Sequence, residues 1–136
     1  KGFGSENMST LKMFPPSAGV EGVKQFIVEA IEKAGPNACP PMIVGVGIGG
    51  TFEQAALIAK RAVLRGPDHP NLDSRYFELE KELLDQANRL GIGPAGMGGS
   101  TTVLAINIEH HPTHIASIPV AINISCHASR HAEGVL

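Results

Sequence analysis

The stretch VGVGIGGT, residues 44–51, decides how this 136-residue sequence is expected to fold. It follows the apolar run PPMI and precedes a segment with helical periodicity, so it predicts a buried strand that turns directly into a helix. Gly45, Gly47 and Gly50 fit the pattern G-x-G-x-x-G, which is typical of dinucleotide-binding proteins. The same glycines are also expected where a strand and a helix pack very closely.

The segments around this stretch predict a mixture of helices and strands. Three segments carry apolar residues at helical spacing, and two later segments carry β-branched residues with partial alternation. We expect helices over 20–35, 52–66 and 74–91, strands over 40–47, 101–111 and 115–125, and a loop before the first helix. Thr51 is expected to cap the second helix and Ser74 the third. This order predicts one domain over 1–136 of the mixed α/β (α+β) class, with a small mixed β-sheet flanked by about three helices.

The nucleotide interpretation of the glycines fails on the sequence that follows them. A dinucleotide site requires a second strand that ends in Asp or Glu about twenty residues further on. Here the chain runs through GPDHPNLDSRY (66–76), which reads as a loop leading into another helix. Two interpretations therefore stay open, an anion site at a helix N-terminus and close strand–helix packing.

Composition excludes several classes of protein. The formal net charge of −2 gives no basic field for nucleic acid. The sequence has neither an apolar run of about eighteen residues that could span a membrane nor the pattern of a signal peptide. Two cysteines are too few for a disulfide framework and predict a reducing, cytoplasmic location. The chain begins within a motif, KGFGSEN, without Met, so we expect a piece of a longer protein.

Both cysteines lie at the ends of predicted elements, where a thiol can face a cleft. Cys39 precedes a strand in NACPPMIV, and Cys126 follows a strand in NISCHASRH. The histidines near the last strand are His110, His111, His114, His127 and His131. Imidazoles beside thiolates suit zinc, but the usual pairs of ligands at short spacing are absent. Four roles stay open for the cysteines: a buried apolar side chain, a disulfide, a nucleophilic thiol and metal ligation. For each histidine, the default interpretation is a surface residue without a functional role.

Four segments, taken together and in order, resemble a known family. They are KGFGSEN (1–7), ACPP with GVGIGGT (38–51), ELEKELLDQANRLGIGPAGMGG (78–99) and SCHASRH (125–131). His114 precedes Cys126 by twelve residues in the same order. Over nearly its whole length the sequence resembles the α-type region of the iron–sulfur class I fumarases and the related L-tartrate dehydratases. Phe3 departs from the family, which commonly has glycine at this position. The choice between a fumarase and a tartrate dehydratase therefore stays open.

The resemblance implies a hydro-lyase that reversibly removes water from a 2-hydroxy dicarboxylate, malate or tartrate, with a [4Fe–4S] cluster. It implies Cys39 and Cys126 as the second and third of three cluster ligands, which leaves one iron open as a Lewis acid. It implies that His114 assists proton transfer or hydrogen-bonds the leaving hydroxyl. The residues implied to line the dicarboxylate site are Gly4, Ser5, Glu6 and Asn7, continued by Met8 and Ser9.

The resemblance also implies partners. The first cluster cysteine is expected upstream of Lys1, and further catalytic side chains in a β-type subunit or a C-terminal domain. We therefore expect a homo- or hetero-oligomer, and we expect the 136-residue chain alone to hold no cluster and to be inactive. The alternative is a non-catalytic domain that binds zinc through Cys39, Cys126 and a histidine, or that docks a β subunit.

Overall fold

The computed structural model describes residues 4–129 and 133–135, and within them four strands form one sheet. The strands are β1 (Thr10–Phe14), β2 (Met42–Gly49), β3 (Val103–His111) and β4 (Ile118–Ser125). The helices are α1 (Gly19–Ala34), α2 (Phe52–Val63) and α3 (Ser74–Arg89). The predicted mixed α/β class with a small sheet and three helices is confirmed.

The sheet has the order β1-β4-β2-β3. β2 runs parallel to β3 and antiparallel to β4, and β1 is antiparallel to β4. Gly45, near the middle of β2, lies opposite Asn107 of β3 and Asn123 of β4. Because β2 separates β3 from β4, the connection 112–117 must cross the carboxyl end of β2.

The sheet is the middle layer between two helices on one face and one helix on the other. Since side chains alternate along a strand, Val44 and Val46 face the larger core, which also contains α1 and α3 side chains. The largest fully buried residues of these two helices are Ile27, Ile31 and Leu83. On the opposite face, α2 packs through Ala55 and Ala59 against Ala121 of β4.

Gly45 and Gly47 allow α2 to contact the backbone of β2 directly. A Cβ at Gly45 would overlap the carbonyl oxygen of Ala59, and one at Gly47 would overlap that of Ala55. Close strand–helix packing is therefore confirmed as a reason for these glycines. In the part of the chain that the structure describes, no strand lies between α2 and α3, as expected for a sequence that is not a dinucleotide fingerprint.

Two details of the predicted elements are wrong. Residues 10–14 were expected as a loop but form β1, which pairs with Ile118–Ile122 of β4. β1 is a short edge strand in which only Phe14 is buried, so it has no alternating apolar pattern. Asp73, not Ser74, caps α3, because its carboxylate accepts a hydrogen bond from Arg75 N at 2.9 Å. Thr51 caps α2 as expected, accepting from Gln54 N at 3.3 Å.

Polar side chains close part of the outer edge of β3. Glu80 of α3 accepts a hydrogen bond from Ile108 N at 2.7 Å, and Asn71 donates to Ile108 O at 2.9 Å. Glu80 is buried and also pairs with Arg65. The side chain of Asn88 pairs with the start of the strand in the same way. Its Oδ1 accepts a hydrogen bond from Val103 N at 2.9 Å, and its Nδ2 donates to Val103 O at 3.2 Å. These side chains satisfy backbone groups that a further strand would otherwise pair.

Among the described residues, no helix combines the length and the apolar character needed to cross a membrane.

Candidate functional site

The sheet brings Cys39 and Cys126 to the same end of the molecule. Cys39 precedes β2 and Cys126 follows β4, and these strands are antiparallel with Ile43 opposite Ser125. A backbone hydrogen bond joins the two segments: His127, the residue after Cys126, donates from its N to Cys39 O at 3.2 Å. We name this end of the sheet, defined by Cys39 and Cys126, the cysteine end.

The backbone of Cys39 adopts a conformation that L-residues seldom use. Its φ of 51° and ψ of 63° lie in the left-handed region. This region costs a non-glycine residue roughly 1–2 kcal/mol. A hydrogen bond from Cys39 N to Pro36 O at 3.0 Å helps to hold this conformation. The side chain is exposed, whereas Cys126 is half-buried, and no disulfide joins them. Such constrained residues are common at functional sites.

The segment Gly4–Ser9, here named the N-terminal segment, lies beside the cysteine end. Gly4–Met8 forms a 3₁₀ helix, and Ser5 Oγ donates to Ile124 O at 3.0 Å. Ile124 N in turn donates to Ser9 Oγ at 3.0 Å. Because Ile124 is two residues before Cys126, the structure places this segment next to the same end of β4. Asn7 is exposed and Met8 is half-buried.

Glu6 connects the N-terminal segment to two other elements. Its Oε1 accepts a hydrogen bond from Asn123 Nδ2 of β4 at 3.0 Å and forms an ion pair with Lys60 of α2. The hydrogen bond from Asn123, and then that from Lys60, lower the pKa of Glu6 below its ordinary value. Glu6 therefore carries its negative charge at neutral pH.

A cavity of about 360 Å³ lies next to the N-terminal segment. Its polar and sulfur-bearing lining includes Asn7, Met8, Ser9, Thr10, Lys12, Glu29 and Lys33. Sequence reasoning did not single out Lys12 or Lys33, because lone lysines on a strand and a helix form no recognisable pattern. The fold alone brings them to the border of this cavity.

His114 lies at the other end of β2. His111, three residues earlier, pairs with Gly49, and Thr113 Oγ1 donates to Gly50 O at 3.0 Å. His114 is exposed, and its Nδ1 accepts a hydrogen bond from Ala116 N at 3.1 Å. The whole of β2, eight residues and roughly 25 Å long at the rise of a strand, lies between Cys39 and the connection that carries His114. Within one chain, the structure does not bring His114 to the cysteine end.

The other histidines do not converge on the cysteines as a group. His110 stacks on Tyr76 with ring centroids 4.3 Å apart, and His111 Nδ1 contacts Pro112 O at 3.0 Å. His127 lies directly after Cys126 in a 3₁₀ turn, His127–Ser129. Phe3 and His131 lie outside the described residues. Over residues 4–129 and 133–135, no group of three or more His, Cys, Asp or Glu side chains is arranged to hold a metal ion.

The donor set at the cysteine end is compatible with an iron–sulfur cluster but does not complete one. Thiolates are the usual ligands of such clusters, and two cysteines lie at this end of the sheet. Ser125, adjacent to Cys126, has a buried Oγ that makes no hydrogen bond within the described residues. A three-cysteine site would need its remaining thiolate from outside these 136 residues, because the sequence contains two cysteines.

Comparison with known proteins defines the class. The sequence model of the fumarate hydratase (Fumerase) family matches residues 1–135, and the chain belongs to this family. Over 132 residues it is 52% identical to the putative L(+)-tartrate dehydratase subunit alpha of Methanocaldococcus jannaschii. This alignment covers 97% of the present chain and 46% of the relative. Over 121 residues it is 44% identical to the L(+)-tartrate dehydratase subunit alpha of Escherichia coli (strain K12), covering 88% and 39%. The chain thus spans less than half the length of these relatives, and the family resemblance predicted from four short segments is confirmed.

Proposed function

We propose that this chain is the part of an iron–sulfur hydro-lyase that supplies two cluster ligands and one wall of the dicarboxylate site. The observation that carries the proposal is the antiparallel pairing of β2 with β4, since it sets Cys39 and Cys126 at one end beside the N-terminal segment. The names of the relatives, L(+)-tartrate dehydratase subunit alpha, support a dehydration of the same class. The substrate is a 2-hydroxy dicarboxylate, malate or tartrate.

The reaction requires the loss of hydroxide, a poor leaving group, and of a weakly acidic C–H proton. When bound, a [4Fe–4S] cluster with one open iron position supplies a Lewis acid for the hydroxyl group. Cys39 and Cys126 hold it as thiolates, and the third thiolate comes from a part of the protein outside these 136 residues. A β-type subunit or C-terminal domain supplies the remaining catalytic side chains.

The N-terminal segment binds the dicarboxylate in this proposal. A Cβ built on Gly4 meets no described atom within 4 Å, so internal packing does not account for the glycine, and a carboxylate can approach the backbone closely. The exposed amide of Asn7 donates to the same ligand, and Met8 and Ser9 extend the wall. Two lysines, Lys12 and Lys33, and one carboxylate, Glu29, line the adjoining cavity, and this positive balance favours a dianion.

His114 transfers a proton or hydrogen-bonds the departing hydroxyl in this proposal. Strand β2 lies between it and the cysteines of its own chain, which argues against that role within one copy. We therefore place the complete site between two copies, where the connection 112–117 of one faces the cysteine end of the other. The protein is then a homo- or hetero-oligomer, and its cytoplasmic location stays a prediction.

The test is anaerobic purification of the complete protein with its β part, followed by iron and acid-labile sulfide analysis. We expect a brown protein that dehydrates malate or L-tartrate and loses activity in air. Cys39→Ser and Cys126→Ser should each lose iron, sulfide and activity. Ser125→Ala is the matched control, since it changes the neighbouring residue but leaves both thiols. Stoichiometric zinc without sulfide, or full activity in an iron-free preparation, would contradict the proposal.

A further inference from the structure

The N-terminal segment is held along the edge of β4 by side chains instead of strand pairing. β1 pairs with β4 only as far as Thr10 opposite Ile122, and beyond that point none of the described residues forms a strand beside the outer edge of β4. Ser5 Oγ and Ser9 Oγ bond the carbonyl oxygen and the amide of Ile124 instead. Two hydrogen bonds to one residue fix the segment along the strand, and Met8 packs against the main core on one side of it.

Glu6 adds a polar anchor between the segment and α2. It reaches α2 through its ion pair with Lys60, while Asn123 of β4 donates to the same carboxylate oxygen. A segment tied to one strand at Ile124 and to a helix at Lys60 has a single orientation. The carboxylate of Glu6 is only partly exposed, which strengthens these charge-assisted bonds relative to bonds in open solvent.

The position of Lys60 depends in turn on the glycine stretch of β2. Gly45 lies directly opposite Asn123 in the sheet, and its missing side chain admits the carbonyl oxygen of Ala59, the residue before Lys60. Close packing of α2 therefore sets the height of Lys60 above β4. The glycines and the N-terminal segment, separate motifs in the sequence, are connected through Lys60 and Glu6.

We propose that Glu6 is a positioning residue that fixes the orientation of the N-terminal segment, so that Asn7 presents its amide to the dicarboxylate beside the cysteine end. This inference rests on the proposed function, which places the substrate there. Neighbouring residues of a 3₁₀ helix point about 120° apart, so turning Glu6 toward α2 turns Asn7 away from it. The exposure of Asn7 agrees with this arrangement.

The first test compares steady-state kinetics of the complete, anaerobically reconstituted protein with L-tartrate and with malate. Glu6→Ala should raise KM about tenfold, because the amide of Asn7 loses its fixed place, while kcat stays within about threefold. Glu6→Gln keeps an acceptor for Asn123 and Lys60 and should raise KM only about twofold to threefold. Lys60→Met should lie between them. Lys24→Met is the matched control, since Lys24 is likewise a lysine of a helix, α1, in ion pairs with carboxylates, here Glu21 and Glu82, away from the N-terminal segment.

The second test is hydrogen exchange, which needs no turnover. The amide of Ser9, bonded to Glu6 O at 2.9 Å, should exchange faster in Glu6→Ala and Lys60→Met than in the wild type or Lys24→Met. An unchanged KM in Glu6→Ala, or equal exchange in all variants, would overturn the inference. A wild-type protein without hydro-lyase activity would instead overturn the proposed function, and the exchange of Ser9 would still show whether Glu6 holds the segment.

Discussion

Cys39 and His114 lie at opposite ends of strand β2 in the same chain. Cys39 stands three residues before β2 begins, and the connection that carries His114 is bonded to Gly50, just after it ends. The strand between them is rigid and buried, so no side-chain rotation can bring the two together. The proposed site, which uses both residues, therefore combines two copies of the chain.

Complementation of two inactive variants tests this arrangement. His114→Ala and Cys126→Ser should each abolish activity alone, because each damages every site. Mixed dimers contain one site with both residues intact, so a random mixture should recover about one quarter of the wild-type activity. The measurement is the dehydration rate of the co-expressed variants, with mass spectrometry to count mixed dimers. Mixed dimers without any recovered activity would show that His114 and Cys126 do not share a site.

The contact between α2 and β2 predicts strong sensitivity at two glycines. Gly45→Ala and Gly47→Ala should each lower the free energy of unfolding by about 2–3 kcal/mol, since the added methyl group overlaps backbone oxygens that cannot move independently. Urea unfolding measures the effect. Gly134→Ala is the control, because a Cβ there meets no described atom within 4 Å. Equal stability of Gly45→Ala and Gly134→Ala would refute close packing as the reason for the motif.

Glu80 is a further position at which a substitution is expected to lower the free energy of unfolding strongly. Glu80→Ala removes the acceptor of Ile108 N and leaves the half-buried Arg65 side chain without its carboxylate. The expected loss is about 3 kcal/mol of unfolding free energy. Glu80→Gln should lose less, because its amide oxygen still accepts from Ile108 N. Glu78→Ala, on the exposed face of the same helix, should change stability little. A loss in Glu78→Ala as large as in Glu80→Ala would contradict this account of the β3 edge.

The cap of α3 predicts a pH dependence of stability. The Arg75 side chain, and then the Arg75 backbone amide, lower the pKa of Asp73 from 3.8 to about 2. A carboxyl group with a lowered folded-state pKa stabilises the fold fully above its ordinary pKa and loses this contribution as the pH falls through the folded value. The stability difference between the wild type and Asp73→Asn should therefore stay constant above about pH 4 and shrink toward pH 2. Denaturant unfolding across this range measures it, with the exposed Asp85→Asn as control. A difference that persists unchanged at pH 2 would show that the charge of Asp73 is not involved.

Much of the fold could be predicted because its signals are local. Helical apolar periodicity marks α1, α2 and α3, and the glycines of 44–51 mark a strand that meets a helix closely. Thr51 is recognisable as a cap from its neighbours alone. β1 could not be predicted, since its residues are mostly exposed and its strand conformation depends on pairing with β4. Glu80 and Asn88 were likewise unpredictable as edge partners, because their targets belong to β3.

The sequence by itself determined the family, the candidate thiols and the histidine, because residue identity and order carry those signals. Only the tertiary structure decided which of them meet. The antiparallel direction of β4 relative to β2 places Cys126 with Cys39, and the crossing of 112–117 over the far end of β2 places His114 away from both. The link from the glycines through Lys60 to Glu6 also arises only in three dimensions. Strand direction and helix depth follow from burying one shared core, and no local stretch of residues encodes them.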